Sequence, residues 1–446
     1  MIKNPLKQSL YIQEKFSEYV KSTFLLKNEK YNDDFMRELA NSVLTKGPYL
    51  KLELPFTKSY TINELIINGQ LPKGFLKVSD IVPDRSLYLH QYNSLKQIQK
   101  GSSIVVTTGT GSGKTESFLY PILDALLRKI EKHGSLTGIQ AILLYPMNAL
   151  VNDQLERLRK HLVTIPEITF GFFTGDTPEN YRKKLSNSKF IENCTREEHI
   201  ATNFDGEDIL PPPNEVLVRT EIRSNPPHIL ITNFSMLEYL LVRPKDSSIL
   251  NTETLKDWSF MVLDEAHTYR GTLATEVSHL LKRLQAFAHK TPQFILTSAT
   301  LGNTESDKKK IVEFASKLTS TNYHEDDIIY ADRISPLRYQ IKYKVENKDY
   351  TTIANLINKE KSPIDIFQKY GVSNLFDLLS QDKNVHDLYR VLLQTKTFEN
   401  VYAEIKINNP TIKEQELIDL INIVTLAKKE GISIYDIKYH FFIRTL

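Results

Sequence analysis

Cysteine is almost absent from this sequence, and other features that would narrow its class are missing as well. The 446 residues include one cysteine, Cys194, which cannot form an intramolecular disulfide. The first residues lack the basic start, apolar core and small-residue cleavage site of a secretory signal. The longest apolar runs, such as 142–145, fall far short of the roughly 20 residues that cross a bilayer. These absences predict an intracellular, cytoplasmic protein with no membrane partner.

A marked excess of one charge is also lacking. The 57 Lys and Arg residues nearly balance 54 Asp and Glu residues, which leaves a net charge of +3. This balance neither requires nor excludes a polyanionic partner, because local clustering on one face decides such binding. With 41% hydrophobic and 25% charged residues the chain lies in the ordinary globular range. Its length allows two to four domains.

The middle of the sequence alternates short apolar runs with longer segments of helical period. This alternation is typical of a parallel sheet covered by helices on both faces, so the predicted fold class is α/β. One predicted helix has apolar residues from Leu119 to Ile130 and ends at Lys132 and His133, and two others cover about 149–162 and 273–288. The predicted strands are 103–108, 140–145, 169–173, 228–232, 259–263 and 293–297.

Three regions follow from this pattern. Residues 1–84 form a predicted N-terminal accessory segment, and residues 85–320 form the sheet domain. An insertion at about 177–228 lacks strong periodicity and contains a proline triplet, so we expect a surface excursion there. Residues 321–446 are predicted to be a helical linker or accessory region.

A glycine-rich segment, Thr-Thr-Gly-Thr-Gly-Ser-Gly-Lys-Thr at 107–115, lies between a predicted strand and a predicted helix. Its glycines let backbone N–H groups and the helix N-terminus face phosphates. Lys114 would neutralise the β- and γ-phosphates of ATP, and the Thr115 hydroxyl would ligate Mg²⁺. A glycine-rich turn that happens to contain lysine is the alternative, and the flanking elements favour the nucleotide site. The predicted nucleotide-binding residues here are Thr108, Gly109, Thr110, Gly111, Ser112, Gly113, Lys114 and Thr115.

The tetrapeptide Asp-Glu-Ala-His at 264–267 follows an apolar strand, where acidic side chains emerge beside a phosphate loop in sheets of this class. Asp264 would hold the Mg²⁺ shell, and Glu265 would orient and deprotonate the attacking water. With Lys114 and His267 they are the predicted catalytic residues. Alone, the tetrapeptide would equally fit a solvated strand end.

A third segment, Leu-Thr-Ser-Ala-Thr at 296–300, also follows an apolar strand. Its small hydroxyl residues can hydrogen-bond the Asp-Glu segment and relay the state of the nucleotide. The tripeptide Ser-Ala-Thr within it is common by chance, and its position after Asp264 is what makes it specific. Ser298, Ala299 and Thr300 are the predicted coupling residues.

With these three motifs in order, about residues 85–302 resemble superfamily 2 helicases of the DEAD/DEAH-box type. Thr108 stands where the general phosphate-loop pattern has its first glycine, and this departure is similar to that superfamily. The resemblance implies a RecA-like P-loop domain that uses ATP and Mg²⁺ to drive movement on nucleic acid. Arg85, His90 and Gln91 are similar to the family's glutamine motif, in which the Gln91 amide would read adenine. A polar helix start is the alternative for Gln91.

Three further segments, 145–150, 174–176 and 232–237, resemble the nucleic-acid-facing motifs of that lobe. Each follows a predicted strand and offers backbone N–H groups and small polar side chains, which can hold a sugar-phosphate backbone. Each would equally fit a turn chosen for packing. The predicted nucleic-acid contacts are Pro146, Asn148, Thr174, Gly175, Thr232 and Asn233.

The segments 145–154, 264–271 and 46–50 are similar to large bacterial DEAH helicases of the DISARM and Druantia phage-defence type, and to crosslink-repair helicases. This resemblance implies DNA rather than RNA as the track, and 3′-to-5′ movement. An RNA-dependent helicase shares all the motifs and stays open as an alternative.

The second RecA-like lobe of such helicases carries an arginine finger in a Gln-x-x-Gly-Arg-x-Gly-Arg segment, and no such segment follows Thr300. Residues 439–446 resemble the start of that lobe. We therefore expect a fragment, from a split gene, a truncated gene or a shortened expression product, whose second lobe is missing or sits in a partner chain. Such a chain would bind ATP but turn it over slowly, since the arginine contributes about 10³ to 10⁵ in rate. The alternatives are a nucleotide-switched binding module and a diverged second lobe within 337–446.

Overall fold

The computed structural model describes residues 5–23, 29–41, 45–109, 111–185, 189–192, 194–207, 209–299, 301 and 307–443. The chain divides into two compact units. One is Phe56–Asp332, and the other joins Met1–Pro55 to Arg333–Leu446. Among the helices in the described ranges, none combines the length and apolar character that a bilayer crossing requires.

The helices and strands of the described residues have the following bounds. The α-helices are α1 (Pro5–Thr23), α2 (Glu29–Asn41), α3 (Ile62–Ile67), α4 (Leu89–Gln99), α5 (Lys114–His133), α6 (Asn148–Leu162), α7 (Arg196–Asn203), α8 (Arg219–Ser224), α9 (Phe234–Val242), α10 (Thr272–Gln285), α11 (Lys308–Thr319), α12 (Asn347–Asn358), α13 (Ile364–Tyr370), α14 (Leu375–Ser380), α15 (Lys383–Val391), α16 (Phe398–Asn408) and α17 (Glu414–Leu426). The β-strands are β1 (Thr45–Glu53), β2 (Lys58–Thr61), β3 (Ser86–Tyr88), β4 (Ile104–Thr107), β5 (Ala141–Tyr145), β6 (Phe170–Phe173), β7 (Arg182–Lys184), β8 (Phe190–Glu192), β9 (Glu215–Val216), β10 (Ile229–Asn233), β11 (Phe260–Leu263), β12 (Gln293–Ser298), β13 (Ile328–Tyr330), β14 (Lys396–Thr397), β15 (Lys428–Lys429), β16 (Ile432–Ser433) and β17 (Asp436–Ile443).

The unit Phe56–Asp332 is built on an eight-stranded sheet in the order β13-β4-β12-β11-β5-β10-β6-β9. All its strand pairs are parallel. Successive residues of β5 point to opposite faces, so Leu143 joins the core under α5 and α6 while Leu144 joins the core under α9, α10 and α11. Both faces are therefore buried, and this explains why the central strands are apolar throughout. The predicted α/β fold class is confirmed, and all six predicted strands are present.

The register aligns the carboxyl ends of the central strands. Thr107 of β4 pairs with Ser298 of β12, and Leu296 of β12 pairs with Leu263 of β11. Strand β12 thus lies between the strand that leads into the glycine-rich loop and the strand that leads into Asp264. The three chemical motifs of the sequence consequently emerge side by side at one edge of the sheet.

The second unit surrounds a small antiparallel sheet in the order β14-β1-β17. Tyr49 of β1 pairs with Thr397 on one side and with His440 on the other. Helices α12 to α17 supply most of its apolar core. Residues 1–55 are therefore not a separate accessory segment, because β1 pairs with a strand almost 400 positions later. The unit boundaries at 55/56 and 332/333 also differ from the predicted boundaries at 84/85 and 320/321.

The predicted insertion is only partly a surface excursion. It forms the hairpin β7–β8 and the helices α7 and α8, but it also adds β9 to the edge of the main sheet beside β6. Glu215 of β9 is fully enclosed and accepts hydrogen bonds from Arg159 of α6 at 2.7 and 3.0 Å. Burial raises the pKa of Glu215, although the Arg159 guanidinium acts in the opposite direction. A buried ion pair of this kind fixes the insertion to the sheet.

We expect Glu215→Gln to lower the free energy of unfolding by about 3–5 kcal/mol, because it leaves the Arg159 charge enclosed with only the half-exposed Glu207 as an anionic partner. Urea denaturation followed by the fluorescence of Trp258, the one tryptophan of the chain, measures this unit directly. Arg283→Gln, which breaks an exposed pair with Glu238, is the control and should cost less than about 1 kcal/mol. Equal effects of the two substitutions would contradict a structural role for Glu215.

Candidate active site

The glycine-rich loop joins β4 to α5 through two residues in left-handed backbone geometry. Gly111 has φ +72° and Gly113 has φ +75°, a region that favours glycine. A Cβ built on Gly113 would also lie 2.3 Å from Nε2 of Gln91, whereas one built on Gly111 meets no described atom within 4 Å. Gly113 is therefore required both by its backbone and by its neighbour.

Hydroxyl side chains of the loop support it from inside. Ser112 Oγ donates to Thr108 Oγ1 at 2.7 Å, and both side chains are buried. The backbone N–H of Thr108 donates to the carbonyl of Ser298 at 3.0 Å. A ring nitrogen of His90 lies 2.9 Å from the Ser112 carbonyl. Thr108 and Ser112 thus shape the loop through the contact between their side chains and through these backbone contacts.

The predicted nucleotide-binding residues are distributed unevenly around this loop. Gly109 is half-buried beside the end of β4. Thr110 lies outside the described residues. Lys114 and Thr115 open helix α5, with Gly113 as its N-cap, so both stand at the positive end of the helix dipole.

Lys114 reaches across the cavity to the acidic motif. Its Nζ donates to Oε1 of Glu265 at 2.7 Å, and the two side chains are 13% and 23% exposed. Glu265 adopts φ 48° and ψ 45°, a left-handed conformation that costs a non-glycine residue about 1–3 kcal/mol. This contact brings together two predicted catalytic residues that are far apart in the sequence.

Asp264 is buried and held by its neighbours. Its Oδ1 accepts a hydrogen bond from the Thr297 hydroxyl and another, at 3.0 Å, from the Glu265 N–H. Burial raises the pKa of Asp264 above its ordinary value, although the Thr297 hydrogen bond and the Lys114 charge act against that rise. Neither hydrogen bond engages Oδ2.

The Asp264 carboxylate and the Thr115 hydroxyl line the same cavity and fit the predicted Mg²⁺ site. Both are hard oxygen donors, and Mg²⁺ in phosphate-binding sites takes only one or two protein ligands besides phosphate and water. Within the described ranges there is no group of three or more His, Cys, Asp or Glu residues placed to hold a metal. The two-donor arrangement is consistent with a metal that binds together with a phosphate ligand.

His267 connects the acidic motif to the third motif. Its Nδ1 lies 3.1 Å from Ser298 Oγ and 3.2 Å from Oε2 of Glu265. Ser298 is fully buried at the end of β12, and Ala299 next to it is half-buried. Thr300 lies outside the described residues. Two of the three predicted coupling residues are therefore placed, and Ser298 contacts His267 of the acidic motif.

Gln91 is engaged with backbone groups. Its Oε1 accepts from the Tyr88 N–H at 2.9 Å, and its Nε2 donates to the Gly113 carbonyl at 3.2 Å. The side chain therefore joins the start of α4 to the end of the glycine-rich loop. The sequence predicted an adenine-reading amide at this position, and the amide that the structure describes braces the loop.

A cavity of about 460 Å³ contains these groups, within the usual size range of small-molecule sites. Part of its wall was not predicted, because the sequence motifs gave those residues no role in the site. Thr297 was also missed, although it follows from the register of β12 beside Asp264. The cavity residues that were not predicted include Tyr88, Glu116, Tyr120, Asp153, Gln154 and Arg157.

A second, shallow cavity of about 240 Å³ lies at the same edge of the sheet and joins two of the predicted nucleic-acid segments. Pro146, Asn148 and Asn233 line it. Asn233 Nδ2 donates to Asn148 Oδ1 at 2.7 Å, and Asn148 Nδ2 donates to Asp176 at 3.0 Å. Asn233 also caps α9 by accepting from the Met236 N–H. The structure thus brings three of the six predicted contacts together.

The other three predicted contacts are placed differently. Thr232 is fully buried, and its hydroxyl donates to the Phe173 carbonyl, so this side chain is not presented to a ligand. Thr174 is also buried, and its hydroxyl accepts from the Asp176 N–H. Gly175 has open space where a side chain would stand. The likeness of the segments to family motifs did not distinguish side chains that face the sheet from those that face solvent.

A family model described as DEAD/DEAH box helicase matches residues 88–207 and 209–308. The chain is 29% identical over 423 residues to the Druantia protein DruE of Escherichia coli (strain UMEA 4076-1). This match covers 77% of this chain and 23% of DruE. The chain is 27% identical over 243 residues to the uncharacterized ATP-dependent helicase YprA of Bacillus subtilis (strain 168). This match covers 53% of this chain and 26% of YprA. A solved structure of the helicase MrfA bound to DNA matches at 21% identity and a TM-score of 0.43, over 73% of this chain and 43% of that one. The chain spans about a quarter of the length of these two curated relatives.

The two loop glycines give a matched test of the site geometry. We expect Gly111→Ala to lower the stability of the nucleotide-free protein by about 1–2 kcal/mol, the cost of a left-handed alanine. Gly113→Ala should cost more, because the Gln91 amide must also move. Denaturation without nucleotide measures the stability of both variants. In a Gln91→Ala background, the difference in stability between them should be smaller. Equal stabilities of the two alanine variants would be inconsistent with the contact between Gln91 and Gly113.

Proposed function

We propose that this chain, a member of the DEAD/DEAH box helicase family over residues 88–207 and 209–308, binds Mg²⁺-ATP in the cavity beside the glycine-rich loop. In this proposal it forms the ATP-binding lobe of a motor that hydrolyses ATP and moves on nucleic acid. The observation that carries the proposal is the contact of Lys114 with Glu265 across the cavity. Without nucleotide, Glu265 is the anion that balances Lys114.

The chemistry of the site supports ATP hydrolysis. A triphosphate at the N-terminus of α5 meets the helix dipole and the Lys114 ammonium, and it competes with Glu265 for that ammonium. Glu265 is then free to accept a proton from a water molecule. Mg²⁺, held by Thr115 and Asp264, would neutralise charge on the phosphates.

A path for coupling also starts at Glu265. Release of Glu265 from Lys114 changes the partner of this strained residue. Its other carboxylate oxygen, Oε2, lies beside His267, and His267 contacts Ser298. Ser298 in turn accepts from the Thr108 N–H in the loop. The occupancy of the loop can therefore alter the end of β12, through contacts that all lie within one unit.

Nucleic acid is proposed to bind along the second cavity, through the Asn148 and Asn233 amides and the backbone near Gly175. Polar neutral groups of this kind contact sugar and phosphate without reading bases. We propose DNA in preference to RNA because of the resemblance to phage-defence and crosslink-repair helicases. Competition between DNA and RNA for stimulation of ATP hydrolysis separates the two.

The proposed motor also needs an arginine finger. The 446 residues contain no Gly-Arg pair. We propose that a second RecA-like lobe outside these residues supplies the arginine, and that hydrolysis by this chain alone is slow for that reason.

We expect Lys114→Ala to weaken binding of a fluorescent ATP analogue by about 10- to 100-fold, since a charged hydrogen bond contributes about 1.5–3 kcal/mol. Glu265→Gln should bind as tightly as the parent protein or more tightly, because it removes the competing carboxylate, yet it should abolish phosphate release. Lys310→Ala, at an exposed position on α11, is the control.

Phosphate release with and without single-stranded DNA distinguishes a motor from a nucleotide switch. Stimulation that depends on Lys114 and Glu265 supports the motor. Tight binding of ATP with no release under any condition, including addition of a second lobe, favours the switch. Unchanged ATP affinity in Lys114→Ala would refute the nucleotide site itself.

Two polar substitutions test the nucleic-acid surface. We expect Asn148→Ala to weaken binding of single-stranded DNA by about 2- to 12-fold, the worth of one neutral hydrogen bond, with the same salt dependence. Asn233→Asp keeps the cap of α9 but adds a negative charge, so it should weaken binding further. Thr232→Val should lower stability and leave DNA affinity unchanged, because Thr232 is buried. A larger loss of affinity in Thr232→Val than in Asn148→Ala would contradict the proposed surface.

A further inference from the structure

The cavity that would hold a triphosphate also contains an acidic side chain that the proposed chemistry does not use. Glu116 lies two residues after Lys114, in the first turn of α5, and lines the cavity together with it. An acidic residue favours the start of a helix through the dipole. A carboxylate nevertheless repels a polyanion, so its place on this wall requires a different partner.

The carboxylate of Glu116 is poorly satisfied where it lies. Its Oε2 is enclosed and accepts no hydrogen bond from any described residue. A Cβ built on Gly113 would lie 3.0 Å from this oxygen and 2.3 Å from Gln91 Nε2, so Gly113, Glu116 and Gln91 lie close together. The Gln91 amide accepts from the Tyr88 N–H and donates to the Gly113 carbonyl, and it makes no hydrogen bond to Glu116 Oε2. A buried acceptor without a donor is costly, and a bound ligand can supply the donor.

The position of Glu116 on α5 indicates which half of a nucleotide it meets. Tyr120 lies one turn further along the same helix face and also lines the cavity. Arg85, Glu116 and Tyr120 all line this cavity. Burial raises the pKa of Tyr120, and the charge of Glu116 raises it further while that of Arg85 lowers it. Since α5 begins at the proposed phosphate end and runs away from it, Glu116 and Tyr120 would face the nucleoside of a nucleotide bound there. Arg85 and Gln91, which resemble the adenine-side motif, line the same cavity.

We propose that Glu116 determines nucleotide specificity by accepting a hydrogen bond from an N–H or O–H donor of the nucleoside, an inference that rests on the proposed ATP site. A carboxylate only accepts hydrogen bonds. The exocyclic amine of adenine and the ribose hydroxyls are such donors, whereas the O6 atom of guanine is an acceptor that the carboxylate repels. Glu116 then acts as the selective contact, and Gln91 is the residue that positions the loop beneath it.

The test measures the affinity of the full chain for ATP and three analogues in Mg²⁺ buffer. Purine riboside triphosphate lacks the amine, and 2′-dATP and 3′-dATP each lack one hydroxyl. The parent protein should bind one of these analogues about 10- to 100-fold more weakly than ATP, because a charged hydrogen bond is lost. The analogue that loses affinity identifies the donor.

Glu116→Ala should bind ATP and that analogue equally, and Glu116→Gln, which keeps an acceptor, should retain part of the difference. Glu131→Gln, at an exposed position near the other end of α5, is the matched control and should behave as the parent. Parent-like discrimination in Glu116→Ala, or no discrimination by the parent among all four nucleotides, overturns the role of Glu116. If the parent protein bound no ATP, or if Lys114→Ala bound ATP as tightly as the parent, the proposed function would be overturned, and this inference with it.

Discussion

The pairing of β12 between β4 and β11 is the constraint on which the candidate site depends. Parallel strands end at the same edge, so this order places Ser298 between the glycine-rich loop and the acidic motif. In β12, the Thr297 hydroxyl donates to Asp264 and Ser298 Oγ contacts His267. The Ser298 carbonyl accepts from the Thr108 N–H. In this order Lys114 and Glu265 lie close enough for their 2.7 Å contact. The chemistry is local, but the register of three buried strands creates it.

Within this frame the nucleotide-free site stores energy in one residue. Glu265 occupies a strained backbone conformation, and its carboxylate is held by an attractive ion pair with Lys114 that a competing anion can replace. The half-buried position of the pair strengthens its electrostatics compared with an exposed pair. A ligand that displaces Glu265 therefore changes the partner of the residue proposed to activate water. In the proposed mechanism, the Lys114 ammonium links nucleotide binding to the activation of water.

Much of the ATP-side architecture could be predicted from sequence, because buried parallel strands are apolar throughout and the motifs follow them directly. Lys114, Asp264 and Glu265 share one cavity as expected. The pairing of β1 with β17 could not be predicted, since local patterns carry no information about partners almost 400 residues apart. The sequence also does not show which way a side chain points at a strand end, as Thr232 illustrates. The bracing role of Gln91 and the wall formed by Glu116 and Tyr120 depend on packing around a loop rather than on any motif.

The most direct test of this account is a crystal structure of the chain with Mg²⁺ and a non-hydrolysable ATP analogue. We expect the triphosphate to lie at the N-terminus of α5 with Lys114 Nζ on its phosphates, and the 2.7 Å contact between Lys114 and Glu265 to be broken. A nucleotide bound elsewhere, or bound at the loop with that contact intact, would contradict it.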